Sequence, residues 1–164
     1  MSAPEKGRLV FLGLGSNLGE RERSLALGIL ELSKTPEIKM LRISSIYETE
    51  PLGFASQPDF LNMLVAIQTT LTPEALLAIC QQIEKNHGRT RTFKNAPRTL
   101  DIDLLWFENE QRNTPALTLP HPRMLERAFV ITPLLELLHS PDLKAVELRA
   151  LLKNARPVGE VKRA

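Results

Sequence analysis

Arg8 to Leu14 is mostly apolar and reads as a strand that runs into a glycine-bearing turn, Gly15 to Gly19. From Glu20 to Lys34 the period changes to that of a helix, with Leu25, Ile29 and Leu32 on one stripe, acidic residues near the start and Pro36 beyond the end. Ile38 to Glu48 and Leu61 to Thr70 are strand candidates, the second with Leu61, Met63, Val65 and Ile67 in alternation. Pro51 to Asp59 is the loop between them. Thr72 is placed to cap a helix opening on Pro73 and Glu74, whose buried stripe is Leu76, Ile79, Cys80 and Ile83, and Asn86-His87-Gly88 stops it. A basic loop follows, then a strand from Thr99 to Phe107. The order β-α-β-β-α-β predicts an α+β fold with a ferredoxin-like core and an antiparallel sheet. Met124 to His139 and Asp142 to Lys153 read as short helices interrupted by Pro133 and Pro141, a C-terminal helical extension; the basic tail after Asn154 is expected to be loose.

Composition narrows the class. With 43% hydrophobic and 24% charged residues over 164 positions, the chain has the balance of a globular protein, and residues 1–164 are read as one domain. A net charge of +2 is too small to imply nucleic-acid binding. Cys80 is the sole cysteine, which excludes an intramolecular disulfide and a multi-cysteine zinc site; its helical spacing makes it a packing residue. The short polar start, Met1 to Lys6, lacks the apolar core of a signal peptide, and no apolar run reaches membrane-spanning length, so a cytoplasmic location is expected.

The informative charges are clustered. Lys85 to Leu100 contains Lys85, Arg89, Arg91, Lys94 and Arg98 and no acidic residue, and Asp101 and Asp103 follow at once. Residues two apart on a strand share a side, which sets these aspartates roughly 6 to 7 Å apart at Cα. Strict alternation puts Leu100, Ile102, Leu104 and Trp106 on the opposite face and continues the aspartate face with Leu105 and Phe107. Two carboxylates suit one or two Mg²⁺ ions, because this hard cation is usually held by one or two carboxylates, with water and substrate phosphate completing its shell. Next to such a pair, guanidinium groups grip phosphate oxygens through parallel hydrogen bonds. Gly13-x-Gly15-x-x-x-Gly19 fails as a dinucleotide fingerprint, since Leu18 stands where the third glycine is needed, and no Gly-x4-Gly-Lys-Ser/Thr loop occurs. Taken singly, Asp-x-Asp is the wet face of a strand, the arginines a solvated loop, and Phe60 and Phe129 core aromatics.

The stretch Lys94-Asn95-Ala96-Pro97-Arg98-Thr99-Leu100-Asp101-Ile102-Asp103-Leu104-Leu105 resembles the signature of the 6-hydroxymethyl-7,8-dihydropterin pyrophosphokinase family. The likeness extends, in order, through Leu12-Gly13-Leu14-Gly15-Ser16-Asn17-Leu18-Gly19, Tyr47 to Gly53, Gln57-Pro58-Asp59-Phe60-Leu61-Asn62, Leu119-Pro120-His121-Pro122-Arg123-Met124 and Arg127-Ala128-Phe129. The resemblance implies transfer of the β,γ-diphosphoryl group of ATP to the hydroxymethyl group of a reduced pterin in folate biosynthesis. It gives Asp101 and Asp103 two Mg²⁺ ions to hold and makes Arg89 and Arg98 catalytic. The pterin falls to Thr49, Leu52, Phe60, Asn62 and Phe129. ATP falls to Gln81, Glu84, Arg91, Leu104, Leu117, Thr118, His121 and Arg127. Gly15, Ser16 and Asn17 are implied as a wall of the cleft, and His87 and His139 have no implied role. The chain departs from the family pattern at Asn95, where a tryptophan would lid the pterin, in a loop one residue shorter, at Ala116 for an arginine and at Pro122 for a tyrosine. Its partners are then small molecules, with no nucleic acid and no membrane, and a monomer is expected. Two rival readings use the same residues: a ferredoxin-like RNA-binding module, opposed by the scarcity of strand aromatics and by the acidic pair, and a two-metal phosphohydrolase.

Overall fold

The computed structural model describes residues 7–50, 58–87 and 99–164. In chain order the elements are β1 (Arg8–Ser16), α1 (Arg21–Lys34), β2 (Ile38–Ile43), β3 (Tyr47–Thr49), β4 (Phe60–Thr69), α2 (Pro73–Asn86) and β5 (Asp101–Phe107). There follow β6 (Arg112–Asn113), β7 (Thr118–Leu119), α3 (Ala128–Leu138), α4 (Val146–Leu151) and β8 (Lys162–Arg163). The main sheet runs β5-β1-β4-β3-β8, with β2 also on β4, and every pairing in it is antiparallel. Strands β6 and β7 form a separate pair.

Helices cover both faces of the sheet. On one face Val10, Leu12 and Leu14 of β1, Leu61, Met63, Val65 and Ile67 of β4, and Ile102 and Leu104 of β5 pack with Leu25 and Leu32 of α1 and Leu76, Cys80 and Ile83 of α2. On the other, Leu9 and Phe11, Leu64 and Ala66, and Leu105 and Trp106 meet Val130, Leu134, Leu137 and Leu138 of α3 and Leu148 of α4. A central strand buried on both sides must be apolar at almost every position, which explains the near-continuous run in β1. Helix α2 starts as its sequence dictates: Thr72 Oγ1 accepts the Ala75 N–H at 3.1 Å, and Pro73 needs no partner for the N–H it lacks.

Five expectations are corrected. The faces of β5 do not alternate throughout, because pairing with β1 shifts between Phe11 and Leu12: Phe11 opposes Trp106 and Leu12 opposes Leu104. Leu105 is therefore an extra, bulged residue. Trp106 joins it on the α3 side, 6.1 Å from Phe11 between ring centroids, and Phe107 falls into the core beneath α1 and α2. The strand foreseen over Ile38 to Glu48 is divided into β2 and β3. Ser44 makes the break by taking the Leu64 N–H on its hydroxyl at 2.8 Å, a side-chain substitute for the ladder.

Pro133 lies inside α3 without interrupting it. It is buried with Val130, Leu134 and Leu137, and that burial outweighs the lost bond to the Phe129 carbonyl. The helix starts only at Ala128, after turns at Met124 and Glu126, and Asp142 to Lys153 contributes only α4 and a short 3₁₀ turn, Leu152–Asn154. The tail beyond Asn154 is not a loose end. It returns as β8 along the outer edge of β3, with Tyr47 opposite Arg163 and Glu48 opposite Lys162.

Candidate active site

Along the α3-facing side of β1, positions 9, 11, 13 and 15 read Leu, Phe, Gly, Gly. The first pair fills the core and the second leaves the sheet bare. Register sets what flanks the bare half: Gly15 lies between Asp101 of β5 and Asn62 of β4, and Gly13 between Asp103 and Leu64. The result is a cleft of about 140 Å³ lined by both aspartates, both glycines, Thr49, Glu50, Phe60, Asn62, Leu105, Arg127 and Phe129, among others. A Cβ on Gly15 would sit 3.1 Å from Asn62 Oδ1 and 3.7 Å from Phe60 Cδ1, so the missing side chain is the space.

Each wall is held by identifiable bonds. Asn62 Nδ2 donates to Thr49 Oγ1 at 2.8 Å, both residues being buried, which turns the amide oxygen toward the gap at Gly15. Just before β4, Asn17 Nδ2 donates to the Pro58 carbonyl at 3.1 Å and Arg21 Nη1 to the Asp59 carbonyl at 2.8 Å, fixing where Phe60 enters the sheet. Arg127 lies over the Phe129 ring, 5.4 Å from its centroid, at the start of α3. At the opposite side Glu84 reaches from α2 to accept the Ile102 N–H at 2.8 Å. The residue so held stands between the two aspartates.

The bulge at Leu105 has a second effect: its carbonyl accepts the His121 N–H at 2.8 Å and brings that residue to the β5 side of the site. His121 Nδ1 accepts the Arg123 N–H at 3.2 Å, which assigns the proton of the neutral ring to Nε2. Burial, then the charge of Arg127, hold this imidazole below its usual range, against an upward pull from Asp101. It is thus a neutral donor at neutral pH. Cys80 behaves as foreseen: burial, with the charges of Glu84 and Asp103, pushes its thiol up to about 12 and leaves it unreactive.

Seven of the singled-out residues meet in one cleft: Asp101, Asp103, Thr49, Phe60, Asn62, Phe129 and Arg127. Gln81 is exposed on α2; Leu104 and Leu117 are buried in the core; Thr118 stands on β7; none of them, nor Glu84 or His121, lines the cleft. Gly15 lines the cleft, whereas Ser16 and Asn17 are fully buried. Leu52, Arg89, Arg91 and Arg98 lie outside the described residues. His87 has a partner that its sequence position did not suggest: Nε2 is 2.6 Å from Glu31 Oε2, joining the end of α2 to α1. Among the described residues no three His, Cys, Asp or Glu cluster as a metal cage. No helix there is long and apolar enough to cross a membrane. Leu105 lines the cleft on the aspartate face, where alternation put it, whereas sequence reading missed Glu50 as a lining residue and the spacing role of Gly13. The period-two placement of Gly13 and Gly15 opposite polar neighbours was the available signal.

Comparison with known proteins adds an independent line. A family model described as 7,8-dihydro-6-hydroxymethylpterin-pyrophosphokinase (HPPK) matches residues 11–139. The 2-amino-4-hydroxy-6-hydroxymethyldihydropteridine pyrophosphokinase of Bacillus subtilis (strain 168) is 44% identical over 137 residues, spanning 84% of this chain and 82% of that protein. The protein of the same name from Methylorubrum extorquens is 45% identical over 133 residues, spanning 81% and 83%. A solved HPPK-DHPS in complex with substrates superposes with a TM-score of 0.60 over 78% of this chain and 39% of that one. At 15% identity this likeness speaks for the fold alone.

Proposed function

The chain belongs to the 7,8-dihydro-6-hydroxymethylpterin-pyrophosphokinase family, and from that premise we propose how its residues carry the reaction. The enzyme moves the β,γ-diphosphoryl group of ATP to 6-hydroxymethyl-7,8-dihydropterin, a step of folate biosynthesis. The hydroxymethyl oxygen bonds to the β-phosphorus, the bond from that phosphorus to the α,β-bridging oxygen breaks, and AMP leaves. The observation that carries the assignment of roles is the register row that sets Asp101, the bare Gly15 and Asn62 side by side.

In this reading the flat pterin lies over Gly15 between Phe60 and Phe129, a geometry that offset stacking favours, and presents its ring edge to Asn62 and Thr49. Leu52 completes that edge. The oxygen-only pair Asp101 and Asp103 fits Mg²⁺, which needs few protein ligands when phosphate supplies the rest. Two ions held there would supply charge neutralisation for the polyphosphate. Arg89 and Arg98 grip the transferring group, and Arg91, Arg127 and the His121 Nε2–H hold the remaining phosphates. Gln81, Leu104, Leu117 and Thr118 support the nucleotide, and Glu84 acts through the β5 backbone. Catalysis of this kind is positioning and electrostatics rather than covalent chemistry.

The sheet order β5-β1-β4-β2 supports the ferredoxin-like reading, with β2 and β3 together as its broken edge strand. We read the chain as one domain, a cytoplasmic monomer acting on small molecules.

Incubation with ATP, Mg²⁺ and the hydroxymethyl pterin tests the assignment. AMP formed only when the pterin is present is the expected result. Pterin-independent phosphate release would point to a hydrolase, and no turnover would point to a binding module. For recognition, Phe60→Ala, Phe129→Ala and Asn62→Ala should each weaken pterin binding, the aromatic losses by about 1 kcal/mol or more beyond burial. ATP affinity should change little. Titration with a fluorescent pterin and with an ATP analogue decides this; unchanged pterin affinity in all three variants would make these residues core and no more.

A further inference from the structure

Among the described residues, Thr49, Glu50, Arg127 and Phe129 line both the cleft and a neighbouring hollow of about 940 Å³, which is also lined by the chain from Arg156 to Lys162. That segment lies beyond the stretch matched by the family model, which ends at residue 139. Two anchors hold it. At one, Arg156 N–H donates to the Leu125 carbonyl at 2.9 Å and Val158 N–H to the Glu126 carbonyl at 2.8 Å. There the Ala128 N–H donates in turn to the Val158 carbonyl at 3.3 Å. At the other, β8 pairs with Tyr47 and Glu48, the Ala164 N–H reaches the Ile46 carbonyl at 2.9 Å, and Arg163 Nη2 donates to Ser45 Oγ at 2.7 Å.

We propose that residues 156–163 are a strap that positions the two walls of the pterin site and sets its width, an inference that rests on the pterin assignment above. Helix α3 has no side-chain cap at Arg127, so one of its orphan N–H groups is satisfied by Val158 instead. Arg127 and Phe129, one on each side of that bond, are the α3 wall of the cleft. The β3 wall is a strand of 3 residues carrying Thr49, paired on one side by β4 and on the other by β8. One continuous segment thus ties both walls. The tie is made by backbone: the Val158 side chain is 76% exposed, and the turn after it needs Gly159 at φ +106° with open space around it.

Variants that differ only in the backbone of the strap test this. Val158→Pro removes the N–H given to Glu126. Gly159→Ala strains the turn without touching a neighbour. Val158→Ala keeps every bond and serves as the control. The first two should raise KM for the pterin about tenfold, the weight of about one hydrogen bond, with KM for ATP within about twofold and an unchanged melting profile. Val158→Ala should match wild type. Ending the chain at Asn154 should have at least the effect of Val158→Pro. Wild-type pterin KM in Val158→Pro and Gly159→Ala, or equal losses for pterin and ATP, would overturn the strap. A wild-type chain that makes no AMP would instead overturn the parent assignment, and with it the premise of the strap.

Discussion

Asp101→Ala and Asp103→Ala are each expected to cut Mg²⁺-dependent AMP formation by on the order of a thousandfold or more, with little loss of stability. Both side chains are half-buried at the cleft, while the residues that anchor β5 are the fully apolar Leu100, Ile102 and Leu104 on its other face. Removing one carboxylate leaves the other unable to organise the polyphosphate charge alone, so raising Mg²⁺ should recover only a fraction of the rate. Steady-state turnover over a Mg²⁺ series, beside thermal unfolding of each variant, is the measurement. Near-normal turnover in either variant at saturating Mg²⁺ would remove the metal assignment, and a large drop in melting temperature would show that the carboxylates serve the fold.

Gly15→Val should be as damaging to recognition as the aspartate variants are to chemistry. Its Cβ falls 3.1 Å from Asn62 Oδ1, closer than an unstrained contact, and the two further carbons occupy the floor between Asn62 and Asp101. Pterin affinity is expected to fall on the order of a hundredfold, while the strand itself tolerates a β-branched residue. Gly13→Ala makes the useful comparison. There the new Cβ meets the flexible end of Leu105 at 3.4 Å, so its effect should be several times smaller. Pterin titration and circular dichroism on the two variants decide the point. Gly15→Val binding within a few-fold of wild type would mean the pterin lies elsewhere.

Much of this site could be read from the chain because its signals are local and periodic. An Asp-x-Asp pair must share a strand face, Thr72-Pro73 must open a helix, and the alternation in β4 must face a core; all three hold. What escaped depends on pairing between distant segments. The bulge at Leu105 arises where β5 meets β1, and no pattern within β5 marks it, so Trp106 and Phe107 were assigned to the wrong faces. Ser44 breaks its strand through a bond to Leu64, twenty positions away. Lys162-Arg163 carries no apolar alternation at all and becomes a strand only because the edge of β3 is there to receive it. Pro133 misled for the opposite reason: a strong local rule gave way to the burial of an apolar helix.

The bond from the Ile102 N–H to Glu84 bears on how the edge of the main sheet is protected. Among the described residues β5 is the outermost strand of the sheet, and an outermost strand offers its unpaired amides to any other extended chain. Here the strand is not shielded by a bulky cover on the side where Asp101 and Asp103 line the open cleft. The side chain of Glu84 from the neighbouring helix, 3% exposed, takes up an outward amide instead. A second chain approaching in register would have to displace that bond. The edge that carries Asp101 and Asp103 is thereby left open on its cleft face and guarded against sheet extension.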